Sequence, residues 1–343
     1  MDLEEQARSM GLEELEEVGE TWTGDVDLTQ GLDLGEVFRT LYQRGVEVLE
    51  EAGKEVLRSC LLILVVTIFC ALAGTMTAGT GGDPMKVPVL TAVLAIGAIA
   101  VGEVDSLLHL GESAIGQMES LGDILLPTVA MTMAASGSPA AAAAKYGAAI
   151  LFSDALMALI SRVLIPLVYA FGVVNIAWAA LGNEGLKNLG KLLKWTVTTA
   201  LSILLLAFLA YLNFSGVVSG SADAATVKAV KFTISNLVPV VGGVISDTAE
   251  TLLAGASILR NTAGVFGMLA VLGICLGPFL NLGLHYLAYK VTAALASTVA
   301  GDSRVIGLIE SIGTAFGMIL AMTGACGVLL TVAMISAVSV IAI

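Results

Sequence analysis

Charge is what this 343-residue chain has least of. Asp, Glu, Lys and Arg make up 13% of it, against about 25% in a soluble domain. Histidine is almost missing: His109 and His285 are the whole complement, and they lie far apart. The four cysteines, Cys60, Cys70, Cys275 and Cys326, sit in apolar runs, and none has CxxC spacing. That pattern argues against a zinc site or a disulfide framework and reads as small apolar packing residues. There is no Walker A loop, no GxSxG, no HExxH and no dinucleotide fingerprint. No nucleophile and base can be paired, so no catalytic residue, metal or cofactor is assigned.

What is there instead is hydrophobic length. Hydrophobic residues make up 57% of the chain. Uncharged runs cover residues 59–82, 124–144, 163–183, 195–222, 261–289 and 311–343. Each reaches the roughly 20 residues a helix needs to cross a bilayer core. Shorter runs at 87–102 and 232–246 are ambiguous between tilted spans, re-entrant segments and buried helices. Ala, Gly, Leu and Val dominate without period-two alternation, which favours helices over a membrane barrel. The expected fold is all-α: a multipass helical membrane protein with about six to eight membrane-embedded segments.

The remaining charge is gathered at one end. Residues 1–55 hold 16 acids and 4 bases, whereas the other 288 hold 13 and 12. Residues 1–56 therefore read as an acidic amphipathic extramembrane tail and residues 57–343 as the polytopic domain. An acidic tail argues against nucleic acid as a partner. Membrane lipid is the expected surroundings of the rest. The tail is either a solvated segment or a docking site for another protein. The first residues are acidic, the reverse of a basic-then-apolar export signal. Within the tail, 2–20 reads as an acidic helix, 24–31 as a linker, and Asp33 with Glu36 as a capping box. Leu34, Val37, Phe38, Leu41, Val48, Leu49 and Ala52 form an apolar stripe. It would lie on the membrane, on a partner or on this chain's own spans.

The sequence GTGGDP at 79–84 is a tight turn. Residues 103–123 carry five acids and no Lys or Arg, and read as an interfacial helix. Lys187, Lys191 and Lys194 are the densest basic cluster, which the positive-inside bias places in the cytoplasm. Pro127 and Pro166 are 39 residues apart, as are Pro239 and Pro278, with an offset of 112 between the pairs. This fits an internal repeat with halves near 115–215 and 227–327, as in carriers built from repeats; with seven prolines, coincidence fits too.

The richest stretch is FTISNLVPVVGGVISDTAETLLAGASILRNTAG, residues 232–264. Charge inside so apolar a sequence is costly and usually faces a bundle interior, water or a partner. At helical spacing Gly243, Asp247, Glu250, Ala254, Ser257 and Asn261 share one face. With Asn236, Pro239 and Arg260 they form a candidate intramembrane polar stripe. The two carboxylates could bind a cation, share a proton or pair with Arg260. Asp154 and Arg162, two helical turns apart, are further polar candidates. His285 is another, followed by Tyr286, Tyr289 and Lys290, which read as interface anchors. Gly273-x3-Gly277 and Gly313-x3-Gly317 read as close-packing motifs.

Residues 228–264 resemble the stage III sporulation protein AE family of endospore-forming bacteria. The matching elements are Lys231-Phe232, Asn236-x2-Pro239-Val240-Val241-Gly242, Ser246-Asp247, Glu250-Thr251 and Leu259-Arg260-Asn261-x2-Gly264. The likeness continues through Gly301-Asp302-Ser303-Arg304 and Ile309 to Gly313, and in outline covers about 57–343. Members usually carry Lys at the position of Arg260 and often Asp at that of Glu250, so charge is kept. The resemblance implies the large polytopic component of a transenvelope channel complex between mother cell and engulfed forespore. That complex supports late forespore gene expression. Its other proteins, including a cytoplasmic ATPase and ring-forming components, would be this chain's partners. From the residues alone a second reading stands beside it: a secondary transporter of a small solute, coupled to ions through Asp247 and Glu250.

Overall fold

A computed structural model describes residues 34–77, 86–135, 139–214, 262–299 and 302–338. All of these are helical except Gly182, Asn183 and Asp302, and no strand occurs among them. In chain order the helices are α1 (Leu34–Thr77), α2 (Lys86–Ala135), α3 (Pro139–Leu159), α4 (Ile165–Leu181), α5 (Glu184–Phe214), α6 (Thr262–Val299) and α7 (Ser303–Val338). A π-helical turn, Ile160–Leu164, joins α3 to α4. Pro166 follows directly, so the π-helical turn lies where this continuous helix lacks one backbone donor. Among the described residues six stretches are long and apolar enough to cross a membrane: 37–76, 87–127, 150–181, 184–210, 267–299 and 303–333.

Two expectations change. The run 124–144 is not a span of its own. Ala135 ends α2 and Pro139 starts α3, so the run straddles their junction. Its place is taken by the shorter run at 87–102. That run gains length because the acidic stretch 103–123 continues the same helix instead of forming a separate interfacial one. At 50 residues α2 is about 75 Å long, well over a bilayer core of about 30 Å.

α7 is the central element. Of its most apolar window 83% is buried, against 22–33% for the other five spans. A helix that is hydrophobic all round belongs in the middle of a bundle, and between Val305 and Val338 its one charged residue is Glu310. Its glycines receive the neighbours. A Cβ at Gly307 would lie 2.6 Å from Trp178 of α4, one at Gly317 2.9 Å from Tyr286 of α6, and one at Gly327 2.6 Å from Sγ of Cys275 on α6. α2 returns the favour: a Cβ at Gly111 would meet Ile319 at 2.8 Å, and one at Gly122 would meet Leu330 at 3.1 Å. Gly313-x3-Gly317 is thus a packing motif, as its spacing predicts. The cysteines are all free, and two of them pack on methionine sulfur, Cys275 on Met118 at 3.4 Å and Cys326 on Met157 at 3.7 Å.

These contacts fix the directions. α2 runs parallel to α7, and α4 and α6 run antiparallel to it. α1 runs parallel to α6, with Gly45 beside Leu276 and Leu280 and Gly53 beside Leu284. The α4–α5 turn and the α6–α7 turn lie together, since the Cβ position of Gly182 (φ 69°) is 3.4 Å from Arg304. The start of α1 therefore lies at the opposite end of the bundle from Lys187 and Lys191. α1 continues unbroken through position 56, where its charge density falls. Its stripe packs on this chain: Val37 and Leu41 are buried against Leu269 of α6, with Leu276 beside them, and Ala52 is buried. Phe38 and Leu49 of the same stripe are exposed. The tail before Leu34 and the turn at 79–84 lie outside the described residues, as does Pro239, on which the 112-residue repeat depends.

Candidate functional site

Polar groups inside a membrane bundle cluster where helices must be held in register or where something must pass. Here they form a layer around the first third of α7. Lys290 of α6 pairs with Glu310 of α7 at 3.1 Å and donates to Thr314 Oγ1 at 3.5 Å. One residue earlier on α6, the Tyr289 hydroxyl donates to Glu103 of α2. On the other side of α7, Ser311 Oγ is 3.0 Å from Oδ1 of Asn175 on α4. Asn175 Nδ2 also caps the Phe171 carbonyl at 2.7 Å. Tyr169 of α4 donates to Asp105 of α2 at 2.8 Å. Four helices are thus tied together by side chains at one level.

The layer closes toward the α4–α5 turn. Lys187 lies 5.3 Å from the ring centre of Trp178, the indole that fills the gap at Gly307. Asn183 Oδ1 accepts from the Gly185 N–H at 2.8 Å and so caps the start of α5. Beneath it Arg304 grips Asp302 through Nη2 at 2.7 Å, Nε at 3.1 Å and its backbone N–H at 2.8 Å. Those hydrogen bonds hold the Asp302 carboxyl below the usual carboxylate range, against partial burial, which pushes the other way.

The candidates drawn from sequence fall in three places. Asn236, Pro239, Gly243, Asp247, Glu250, Ser257, Arg260 and Asn261 lie outside the described residues. Asp154 and Arg162 are both exposed, and no ion pair joins them among the described residues. His285 is 2% exposed, set edge-on to Phe316 with ring centres 5.5 Å apart, and its Nδ1 lies 3.0 Å from the Asn281 carbonyl of its own helix. The interface-anchor reading is corrected for the two tyrosines beside it. Tyr289 is fully buried and Tyr286 8% exposed, because the α7 glycines leave space for both rings. Lys290 pairs with Glu310 at the outer edge of the α6–α7 contact, its side chain 30% exposed and that of Glu310 60%. Glu310, Asn175 and Trp178 are not among the candidates drawn from sequence. Glu310 carried the signal: it is the one charge in α7 beyond Arg304.

As chemistry, the layer is a set of satisfied cross-links. Among the described residues no three of His, Cys, Asp or Glu stand close enough to share a metal ion. The fold and this layer define a multipass helical membrane protein whose spans are bundled around one buried helix. The profile of the family described as stage III sporulation protein AE matches residues 27–342. The chain belongs to that family. One curated relative, the stage III sporulation protein AE of Bacillus subtilis (strain 168), is 25% identical over 242 residues. That alignment takes in 70% of this chain and 60% of the relative. No solved structure matches the chain.

Proposed function

We propose that this protein is a non-enzymatic membrane component of a channel-like assembly that links mother cell and forespore. In this reading it sits in the mother-cell membrane around the forespore and works with other proteins of the same complex, among them a cytoplasmic ATPase and ring-forming components. Late gene expression in the forespore depends on it. The observation that carries the reading is membership of the stage III sporulation family over residues 27–342. A bundle held by cross-links between helices supports it, since such a bundle suits a rigid part of an assembly. Deleting the gene in a spore-forming host should let engulfment finish and stop late forespore transcription, and the tagged protein should co-purify with further membrane proteins. A deletion strain that sporulates normally overturns the proposal.

Asp247 and Glu250 are the residues through which this role is most directly probed. Asp247→Asn with Glu250→Gln should leave the protein inserted and abundant but block late forespore expression. Full sporulation in the double variant would make the pair bystanders. Solute uptake by the purified chain alone in liposomes, lost in the same variant, would replace the assembly reading with the transporter.

A further inference from the structure

Two lysines of the basic cluster are in no ion pair among the described residues. Lys187 is held by Glu184 at 3.3 Å and lies against Trp178. Lys191 and Lys194, one and two turns further along α5, have no such partner. Lys191 is exposed and Lys194 half-buried, and their spacing of three puts them on one helix face. Contacts fix the level of that face. A Cβ at Gly190 would lie 3.1 Å from Nδ2 of Asn175, whose Oδ1 accepts from Ser311 of α7 at 3.0 Å. α5 turns back from α4 and so runs parallel to α7. Lys191 and Lys194 therefore stand level with Ser311 and the turn after it, where Lys290 of α6 reaches Glu310 and Thr314. Lys194 feels the ammonium of Lys290 and the carboxylate of Glu310. Three ammonium groups from two helices thus share a corner with one carboxylate, which is already engaged by Lys290. Like charges so placed repel one another, and an anion among them removes the repulsion.

Level narrows the choice of anion. On α5 the uncharged run 195–222 begins at Trp195, the residue after Lys194. On α7 the run 311–343 begins just after Glu310, and on α6 the run 261–289 ends just before Lys290. A bilayer sets its hydrocarbon along such runs and its headgroups at their ends. Beyond the lysines α5 looks outward. Trp195, Ile203 and Leu206 lie on one side of it and are 51–62% exposed. An exposed tryptophan at the end of an apolar run is an interface residue. The corner therefore offers ammonium groups to a phosphate and, under them, an apolar strip to an acyl chain. A soluble anion would use the first and leave the second bare.

We propose that Lys191, Lys194 and Lys290 hold the phosphate of an anionic phospholipid of the cytoplasmic leaflet, with an acyl chain along Trp195, Ile203 and Leu206. The site rests on the membrane class of the fold and stands whether or not the protein serves a sporulation assembly. Trp195 is its own reporter. The purified full chain carrying Trp22→Phe is reconstituted in phosphatidylcholine vesicles. Quenching of tryptophan fluorescence by brominated phosphatidylglycerol is compared with quenching by brominated phosphatidylcholine at equal mole fraction. Trp178 is 7% exposed and contributes little; Trp195→Phe should remove most of the quenching. Phosphatidylglycerol should be preferred about fivefold, the scale of one lysine at a membrane surface. Lys191→Gln with Lys194→Gln should bring that preference down to about one. If the double variant fails to reconstitute, Lys191→Gln alone, at an exposed position, should lower it about twofold. Lys187→Gln removes a lysine already held by Glu184 and should leave the preference in place, which separates a site from general surface charge. Inorganic phosphate in large excess should not displace the lipid. Equal quenching by the two lipids, a preference that survives loss of Lys191 and Lys194, or an equal loss in Lys187→Gln overturns the proposal. Displacement by inorganic phosphate overturns it too, by showing a site for a soluble anion.

Discussion

The indole of Trp178 occupies the space that a side chain at Gly307 would need: a Cβ there would stand 2.6 Å from Cη2 and 2.8 Å from Cζ3. The indole is a rigid plane, 7% exposed, with Lys187 against its face, so it has little freedom to withdraw. Gly307→Ala should therefore destabilise the bundle despite alanine's better helix propensity, worth about 1 kcal/mol. Overpacking costs about 1–3 kcal/mol. Thermal unfolding in detergent should show the loss, and Trp178→Leu in the same chain should recover most of it. Gly283→Ala, where a Cβ meets nothing within 4 Å, should be neutral or stabilising. A Gly307→Ala protein as stable as the parent would mean that α4 slides freely on α7.

Tyr289→Phe keeps the ring in its place against Phe316, at 5.0 Å between centres, but removes the donor to Glu103. The carboxylate is then left half-buried between α2 and α6. A loss of about 1–3 kcal/mol is expected. Because the effect is a stranded charge, Glu103→Leu added to Tyr289→Phe should restore part of the stability. A double variant worse than the sum of its parts would show that Glu103 has a further partner.

The antiparallel path of the helices separates the start of α1 from the α4–α5 turn. In a chain with its four native cysteines replaced by alanine, single cysteines at Gln43 and Asn188, both exposed, should lie on opposite sides of the membrane. An impermeant maleimide added to intact cells should label Gln43→Cys, and Asn188→Cys only after lysis, since the basic turn belongs in the cytoplasm. Labelling of both on intact cells sinks the arrangement.

Asp302 gives a pH dependence of defined sign. Its folded carboxyl is held below the ordinary value of about 3.9 by Arg304. The stabilisation is therefore complete above that value and is lost as pH falls through the folded pKa. Asp302→Asn should lower stability at neutral pH and flatten the acid limb of the stability curve below about pH 4. An acid limb as steep as the parent's would assign that titration to other carboxylates.

Much of the architecture was legible because membrane helices announce themselves by length. The uncharged runs at 59–82, 163–183, 195–222, 261–289 and 311–343 each overlap a described span. The run at 124–144 misled because hydropathy does not see where a helix stops, and here the break at Pro139 falls inside the run. The acidic stretch 103–123 misled for the opposite reason. Its charges look interfacial one at a time, but α2 carries four of the five on exposed positions, Glu103 being half-buried, while Leu107, Leu108, Ala114 and Met118 bury the other face. The polar layer was half legible. Glu310 stood out as a lone charge, but its partner Lys290 lies across a hairpin and reads locally as an anchor. Asn175 and Ser311 are 136 residues apart, and no local spacing joins such a pair.

Burial of α7 on all sides has a consequence for how the protein is made. Among the described helices it is the last to be synthesised, yet it is the post around which the earlier ones close. Until it enters the bilayer, Trp178, Tyr286 and Tyr289 have no glycine surface to rest on, and Asn175 and Lys290 lack their partners. The nascent bundle must wait open in the membrane, and quality-control proteases should meet it in that state. A ribosome stalled before Ser303 would leave an assembly intermediate with its socket empty.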